Sequence, residues 1–154
     1  MARPTGTKVI AENRRARYDY QLLERLEAGI ALTGTEVKSL REGRVTLAQA
    51  YADVRDMEVW LIGAEIAEYG HGNISNHDPT RDRKLLLKRA EISSLVGKVR
   101  EKGQTIVPTR LYFKDGKVKV ELALAKGKER ADKRSDIADR DAKRQMERAL
   151  KSRR

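Results

Sequence analysis

His71, His77 and Asp78 come closest to a metal site, with two imidazoles and a carboxylate in one short stretch. Zinc takes those donor types, but an i,i+6 histidine pair on a Gly/Asn-rich loop is no recognised ligand spacing. No metal is expected there, and the three residues read as polar loop residues. Acid–base chemistry is as poorly supplied. Glu36, His77 and Asp78 are the candidate cluster for an RNA-processing enzyme, and Glu36 already has a capping role. Asp132 and Asp136 lie among lysines and arginines, which suits ion pairs better than proton transfer. The chain has no cysteine, so disulfides, thiolate catalysis and cysteine metal sites are excluded. It has no glycine-rich phosphate loop and no serine followed by a plausible base. The sequence therefore predicts no enzyme and no cofactor.

Binding chemistry is better supplied. Asn13-Arg14-Arg15-Ala16-Arg17 leads into Tyr18 and Tyr20, a phosphate-contacting run beside possible stacking rings. Arg81-Asp82-Arg83-Lys84 leads into the apolar run Leu85-Leu86-Leu87, and Tyr112, Lys117 and Lys119 fall on one face of a hairpin. Each cluster alone could be a solvated basic face. Together, on a chain of 154 residues with net charge +11, they point to a polyanion. No apolar run approaches the ~20 residues of a membrane span, and the N-terminus lacks the apolar core of a signal peptide. Nucleic acid in the cytoplasm is the expected partner, with no membrane, and the protein is expected as a monomer. One Trp, one Phe and five Tyr make few stacking platforms, which favours the shape and backbone of a folded RNA over a single-stranded sequence.

These residues must be positioned by short elements. Thr33 and Glu36 form a T-x-x-E capping box, and Gly43 supplies a left-handed stop. The nine residues between, Gly34 to Glu42, make a helix too short to stand alone, so Val37 and Leu40 should pack it while Lys38 and Arg41 face outward. From Tyr18 to Leu32 the apolar residues alternate with a period of two, broken once at Glu24, which predicts a strand. A helix over Asp19–Glu27 using Leu22, Leu23 and Leu26 is the alternative. Ala50–Val54 and Met57–Ile66, separated by Arg55-Asp56, suggest a hairpin. Ile92, Leu95, Val96 and Val99 mark one face of a helix stopped by Gly103.

Asp115-Gly116 is a strong two-residue turn between Thr105–Phe113 and Lys117–Ala125. Centring there pairs Phe113 with Val118, Leu111 with Val120, Thr109 with Leu122 and Val107 with Leu124. The opposite face pairs Tyr112 with Lys119 and Arg110 with Glu121, and Pro108 marks an edge or a bulge. The expected fold is mainly β, a small antiparallel barrel of the oligonucleotide-binding type with short helices at its corners. The expected limits are a flexible N-terminus over 1–8, an RNA-binding barrel over 9–125 and a basic tail over 126–154. The tail holds 12 basic and 6 acidic residues and few large apolar ones. Acid-to-base pairs such as Asp136–Arg140 and Glu147–Lys151 are worth ~0.2–0.5 kcal/mol each, which makes it a latent helix that orders on an anionic partner.

With these motifs in place, the chain resembles the SsrA-binding protein (SmpB) family, partner of transfer-messenger RNA. The resemblance runs from about Val9 to the C-terminus. It is carried by Asn13-Arg-Arg-Ala-Arg17, Glu27-Ala-Gly-Ile-Ala-Leu-Thr-Gly-Thr-Glu-Val-Lys-Ser-Leu-Arg41, Asn76-His-Asp-Pro-Thr-Arg-Asp-Arg-Lys-Leu-Leu-Leu87, Lys126-Gly-Lys128 and Asp132-Lys-Arg134. It implies a barrel that holds the tRNA-like domain near its elbow and enters stalled ribosomes with it. It further implies that Glu27, Leu86 and Lys119 belong to the RNA-binding surface. The tail, with Lys126, Gly127, Lys128, Asp132, Lys133, Arg134 and Ile137, would meet the ribosome at its decoding region and in the empty mRNA channel. Glu129 and Ala131 depart from the family's frequent Lys and its frequent aromatic or His. A general structured-RNA binder would share the barrel but would not need such a tail.

Overall fold

The computed structural model describes residues 6–70 and 76–127, with helical residues at 144–146 and 148. Strand β1 (Thr7–Glu12) runs into helix α1 (Arg14–Asp19), then strand β2 (Tyr20–Ile30) and helix α2 (Gly34–Arg41). Short strands β3 (Val45–Thr46), β4 (Tyr51–Arg55), β5 (Glu58–Ile62) and β6 (Glu65–Ile66) follow. Strand β7 (Arg83–Leu86), helix α3 (Arg89–Lys102) and the long strands β8 (Thr105–Lys114) and β9 (Lys117–Gly127) complete the described body.

Strands β8, β4, β5, β7, β2 and β9 pair in that order, and β9 returns to β8, so six antiparallel strands close a ring. Strand β1 is added to β8 on the side away from β9, and β3 and β6 form a separate ribbon. This is the small antiparallel barrel with corner helices that the turn spacing predicts. Its interior is filled by Ala28, Ala52, Val59, Leu61, Leu85, Ile106, Leu111, Val120, Leu122 and Leu124. Leu40 plugs it from α2, and Ile92 and Leu95 from α3, with Val96 and Val99 half-buried beside them. Val37, expected to share the packing of α2 with Leu40, is only half-buried, and Glu36 and Ser39 are the residues turned inward instead.

Two bulges bend the predicted alternation. In β2, Leu22 pairs with Ala125 and Glu24 with Leu124, so Leu23 is extra and exposed. That explains the break at Glu24: Leu26 packs with the barrel interior, whereas Tyr20 and Leu22 lie on the outer face against Val107, Ala123 and Ala125. In β8 the shift falls between Pro108 and Arg110. Phe113–Val118 and Leu111–Val120 pair as expected, but Pro108 faces Leu122, Val107 faces Ala123 and Ile106 faces Leu124. The expected Thr109–Leu122 and Val107–Leu124 pairs therefore do not form. Thr109 takes up the extra residue, and its hydroxyl donates to Glu121 O at 3.1 Å. Pro108 has no N–H to lose from a ladder, and it stands in an interior strand rather than at an edge.

Three boundaries also move. Thr7 and Lys8, assigned to a loose N-terminus, are strand, paired with Lys114 and Phe113. Helix α1 precedes β2 because Asn13 caps it, accepting the Ala16 N–H at 3.2 Å. The β4–β5 turn is Asp56-Met57, one residue later than expected, with both residues at positive φ (50° and 61°) and Arg55 paired to Glu58. Beyond it the apolar run splits at Gly63, whose φ is +79° and whose missing Cβ would lie 2.6 Å from Gln49 O. Gly63→Ala should therefore lower stability by at least ~1–2 kcal/mol through backbone strain alone, read as an earlier urea midpoint. An unchanged midpoint would mean the turn re-forms without cost.

Candidate nucleic-acid interface

Register brings the expected RNA residues into line. Leu86 stands opposite Gly29, Gly29 opposite Lys119, Lys119 opposite Tyr112 and Tyr112 opposite Val9. Their neighbours Leu85, Ala28, Val120 and Leu111 point into the barrel, so strand alternation turns this row to the outer face. Gly29 keeps the row open, because a Cβ there would meet Leu86 Cβ at 3.2 Å. Leu86 is 53% exposed, a large apolar side chain left uncovered. Beside it runs an open groove lined by Glu27, Met57, Lys84, Lys88 and Lys119. Lys114 and Lys117 are paired with each other at the end of the same hairpin.

One step along the strands, Glu27 faces Glu121 and Glu121 faces Arg110. Glu121 is neutralised by Arg110 at 2.5 Å and Arg25 at 3.6 Å. Glu27 accepts a short hydrogen bond from the Tyr112 hydroxyl and lies 3.4 Å from Lys114 Nζ. The Tyr112 bond, helped by Lys114 and Lys119 against a smaller effect of burial, holds the Glu27 carboxyl below the usual carboxylate range. Burial first, and then that carboxylate, push the Tyr112 phenol well above its ordinary value.

Tyr112, expected on the RNA face with Lys117 and Lys119, leaves no ring surface open for stacking on a base. The residue is 4% exposed, and the Arg110 guanidinium covers its ring at 4.8 Å from the centroid.

Helix α1 lies at one end of the same outer face. Ala16 is buried against Val107, Ala123 and Ala125, with Tyr20 and Leu22 around them. Arg14, Arg15 and Arg17 are left exposed, Arg15 with Asp19 at 3.4 Å, and Tyr18 is half-buried. Asn13 is not available to RNA. It is 5% exposed, and besides capping α1 its amide donates to Leu47 O and Pro108 O at 3.1 and 2.9 Å.

Arg83, like Tyr112 and Asn13, is withdrawn from the surface. It alternates with Lys84, so when Lys84 and Leu86 point outward Arg83 points inward, and its exposure is 0%. A guanidinium has five N–H donors, and each finds an acceptor: Glu36 Oε2 at 2.5 Å and the carbonyls of Ala64, Arg81, Asp78 and Pro79 at 2.9–3.3 Å. Arg81 also serves Glu36, through Nε at 3.1 Å and a terminal nitrogen at 2.5 Å, while remaining about one-third exposed. Glu36 itself is wholly buried. Burial works against its ionisation, but hydrogen bonds from Arg81, the Thr33 N–H (2.8 Å) and Arg83 outweigh it and hold the carboxyl at about 2. The helix-capping glutamate is thus also the anchor of the β6–β7 connection. Nearby, His77 lies within hydrogen-bond distance of Thr35 Oγ1 (2.9 Å) and Ile66 O (2.8 Å).

Lys84 is half-exposed with Glu58 at 3.4 Å, and Lys38 extends over the Tyr69 ring at 5.4 Å from its centroid. Lys126 and Gly127 end β9 opposite Gln21 and Tyr20. Lys128, Asp132, Lys133, Arg134 and Ile137 lie outside the described residues, as does His71. Among the described residues no group of three His, Asp or Glu could hold a metal ion, and no helix is long and apolar enough to cross a membrane. Arg25, Arg110 and Lys114 share this outer face, which the basic runs do not reveal. Counting alternate residues from Glu27 and Tyr112 reaches all three.

The SmpB protein family profile matches residues 10–152. The SsrA-binding protein of Acetivibrio thermocellus is 56% identical over 144 residues, covering 94% of both chains. That of Thermobifida fusca is 57% identical, covering 97% of this chain and 93% of the other. That of Mycobacteroides abscessus is 59% identical, covering 94% and 91%. A solved chain from "tmRNA-SmpB: a journey to the center of the bacterial ribosome" superposes with a TM-score of 0.66 at 52% identity, over 78% of this chain and 85% of that one. A barrel that aligns Leu86, Gly29 and Lys119 on its outer face thus carries the family's pattern along nearly its whole length, and the chain belongs to the SmpB family.

Proposed function

We propose that this protein binds the tRNA-like domain of transfer-messenger RNA and carries it to stalled ribosomes for trans-translation in the bacterial cytoplasm. The observation that carries the reading is the lateral row across adjacent strands β7, β2 and β9, in which apolar Leu86 and cationic Lys119 flank a side-chain-free Gly29. Such a row offers an apolar contact and a phosphate contact at fixed spacing, with Arg14, Arg15 and Arg17 of α1 exposed on the same face and Lys84, Lys114 and Lys117 along its borders. The domain limits follow the same division: a barrel that holds the RNA and a basic segment after β9 that engages the ribosome. The protein makes and breaks no bond. Its contribution is binding energy and placement.

Lys119→Ala should weaken binding of the tRNA-like RNA about 3- to 12-fold, as for one lost solvent-screened hydrogen bond of ordinary net strength, with the thermal midpoint unchanged. The barrel core beside it uses Val118 and Val120. Log affinity should fall with log salt by about 0.7–0.9 per neutralised phosphate, and by one phosphate less in the mutant. RNA recovered with the protein from its host should be one dominant species with a tRNA-like end. A spread of ribosomal RNA fragments would instead identify a general binder.

A further inference from the structure

Glu27 is an unusual residue to keep on a face built for a polyanion. It stands directly opposite Glu121, and like charges in that position destabilise a sheet. Glu121 is answered by two arginines. Glu27 receives instead the hydroxyl of a neutral phenol, with Lys114 Nζ at 3.4 Å from both its oxygens. The phenol is itself fixed, because Tyr112 is buried under Arg110 and its ring cannot turn away. Tyr112 therefore ties down Oε2 of a carboxylate that is still about one-third exposed. An ionised carboxylate can only accept hydrogen bonds. Toward a nucleotide it can serve a ribose 2′-hydroxyl or a base N–H, and it repels phosphate.

We propose that Tyr112 is a positioning residue that sets the Glu27 carboxylate as a fixed acceptor for one N–H or O–H donor of the bound RNA. Glu27 then contributes discrimination, while Lys119 and the arginines contribute attraction. The inference rests on reading this face as the RNA interface.

The test uses the full-length protein and the isolated tRNA-like domain of transfer-messenger RNA. Tyr112→Phe keeps the buried ring and removes only the hydroxyl. It should weaken binding about 3- to 10-fold, as for one lost hydrogen bond of ordinary net strength, and lower the thermal midpoint at neutral pH by a few degrees at most, since Glu27 then faces Glu121 without that bond. Glu27→Gln should lose a similar factor, and the double variant no more than either alone, since both act through one contact. In ¹³C spectra the Glu27 carboxyl should titrate higher in Tyr112→Phe than in the parent, with Lys114, Lys119 and Glu121 still facing it.

RNAs with single 2′-deoxy substitutions, or with single bases that lack the exocyclic amine or are N-methylated at the imino position, should then reveal one position whose cost disappears in Glu27→Gln. A deoxy position identifies a ribose donor, and a base-modified position a base donor. Tighter binding by Glu27→Gln, full affinity in Tyr112→Phe, or no position coupled to Glu27 would each overturn the inference. If Lys119→Ala still weakens binding in that case, the positioning role alone is lost. If Lys119→Ala is also silent, the face itself has been misassigned.

Discussion

Truncation after Arg130 should abolish tagging of nascent chains on stalled ribosomes while lowering affinity for the tRNA-like RNA by no more than about tenfold. The barrel closes between β8 and β9, which end at Lys114 and Gly127, so every core residue among those described lies upstream of the cut. What is lost is the basic segment proposed above to engage the ribosome. Met146→Pro isolates the helical part of that role. Arg144, Gln145 and Met146 are helical, and Met146 is 69% exposed. Its replacement therefore acts through the backbone, at ~3 kcal/mol for an interior proline. Ile137→Pro should do related but weaker damage near the start of the segment. RNA binding and tagging are measured in parallel for all three variants. Equal loss of both activities, or full tagging by Met146→Pro, would show that the tail is no separate helical sensor.

Arg83→Met should cost about 3–5 kcal/mol of stability, because it leaves Glu36 buried with one of its two guanidinium partners gone. The acid limb of the stability curve supplies a second reading. Glu36 has a depressed folded-state value, about 2 against an ordinary 4.5. Its contribution is thus fully present above about 4.5 and is lost as pH falls towards 2. A shift of that size corresponds to about 3 kcal/mol. In Arg83→Met the acid limb should move to higher pH, and urea midpoints from pH 2 to 7 measure both effects. Glu36→Leu combined with Arg83→Met should recover part of the loss, since neither charge is then left unpaired. A single-mutant cost within about 1 kcal/mol would mean water reaches the carboxylate and the site is not sealed.

Those two residues also mark where sequence reading stops. Alternation and turn chemistry identify the β8–β9 hairpin from Asp115-Gly116, the α3 face from Ile92, Leu95, Val96 and Val99, and the stops at Gly43 and Gly103. Each of those is a local signal that the tertiary fold leaves intact. Arg83 sits in the same basic run as Lys84, and composition cannot tell them apart. Only strand parity, once Leu85 is known to be inside, turns one inward and the other out. Asn13 likewise reads as part of a cationic run until its amide is seen closing α1 over Leu47 and Pro108. The bulges at Leu23 and Thr109 carry no residue-type signature of their own; the broken alternation at Glu24 and the proline at 108 are their traces. The Asp56-Met57 turn lacks the glycine that marks its counterpart at Gly116, so it was placed one residue early. Glu27 and Leu86 rest on resemblance rather than pattern, Lys119 on both, and their shared face is evident only from the register.

The long pairing of β2 with β9 joins Tyr20–Gly29 to Lys119–Gly127, the first and last strands of the closed ring. On a ribosome making ~5–20 residues per second, β2 waits roughly 5–20 s for that partner. Its other side is paired to β7 only at Gly29 and Ile30, so most of its length is an open edge during synthesis. Open edges recruit other chains unless charge or a bulge interrupts them. Before β9 exists there is no ladder for Leu23 to leave, and the charges of Glu24, Arg25 and Glu27 are what interrupts that edge. Side chains that serve the finished outer face thus also oppose pairing of the unfinished strand with other chains.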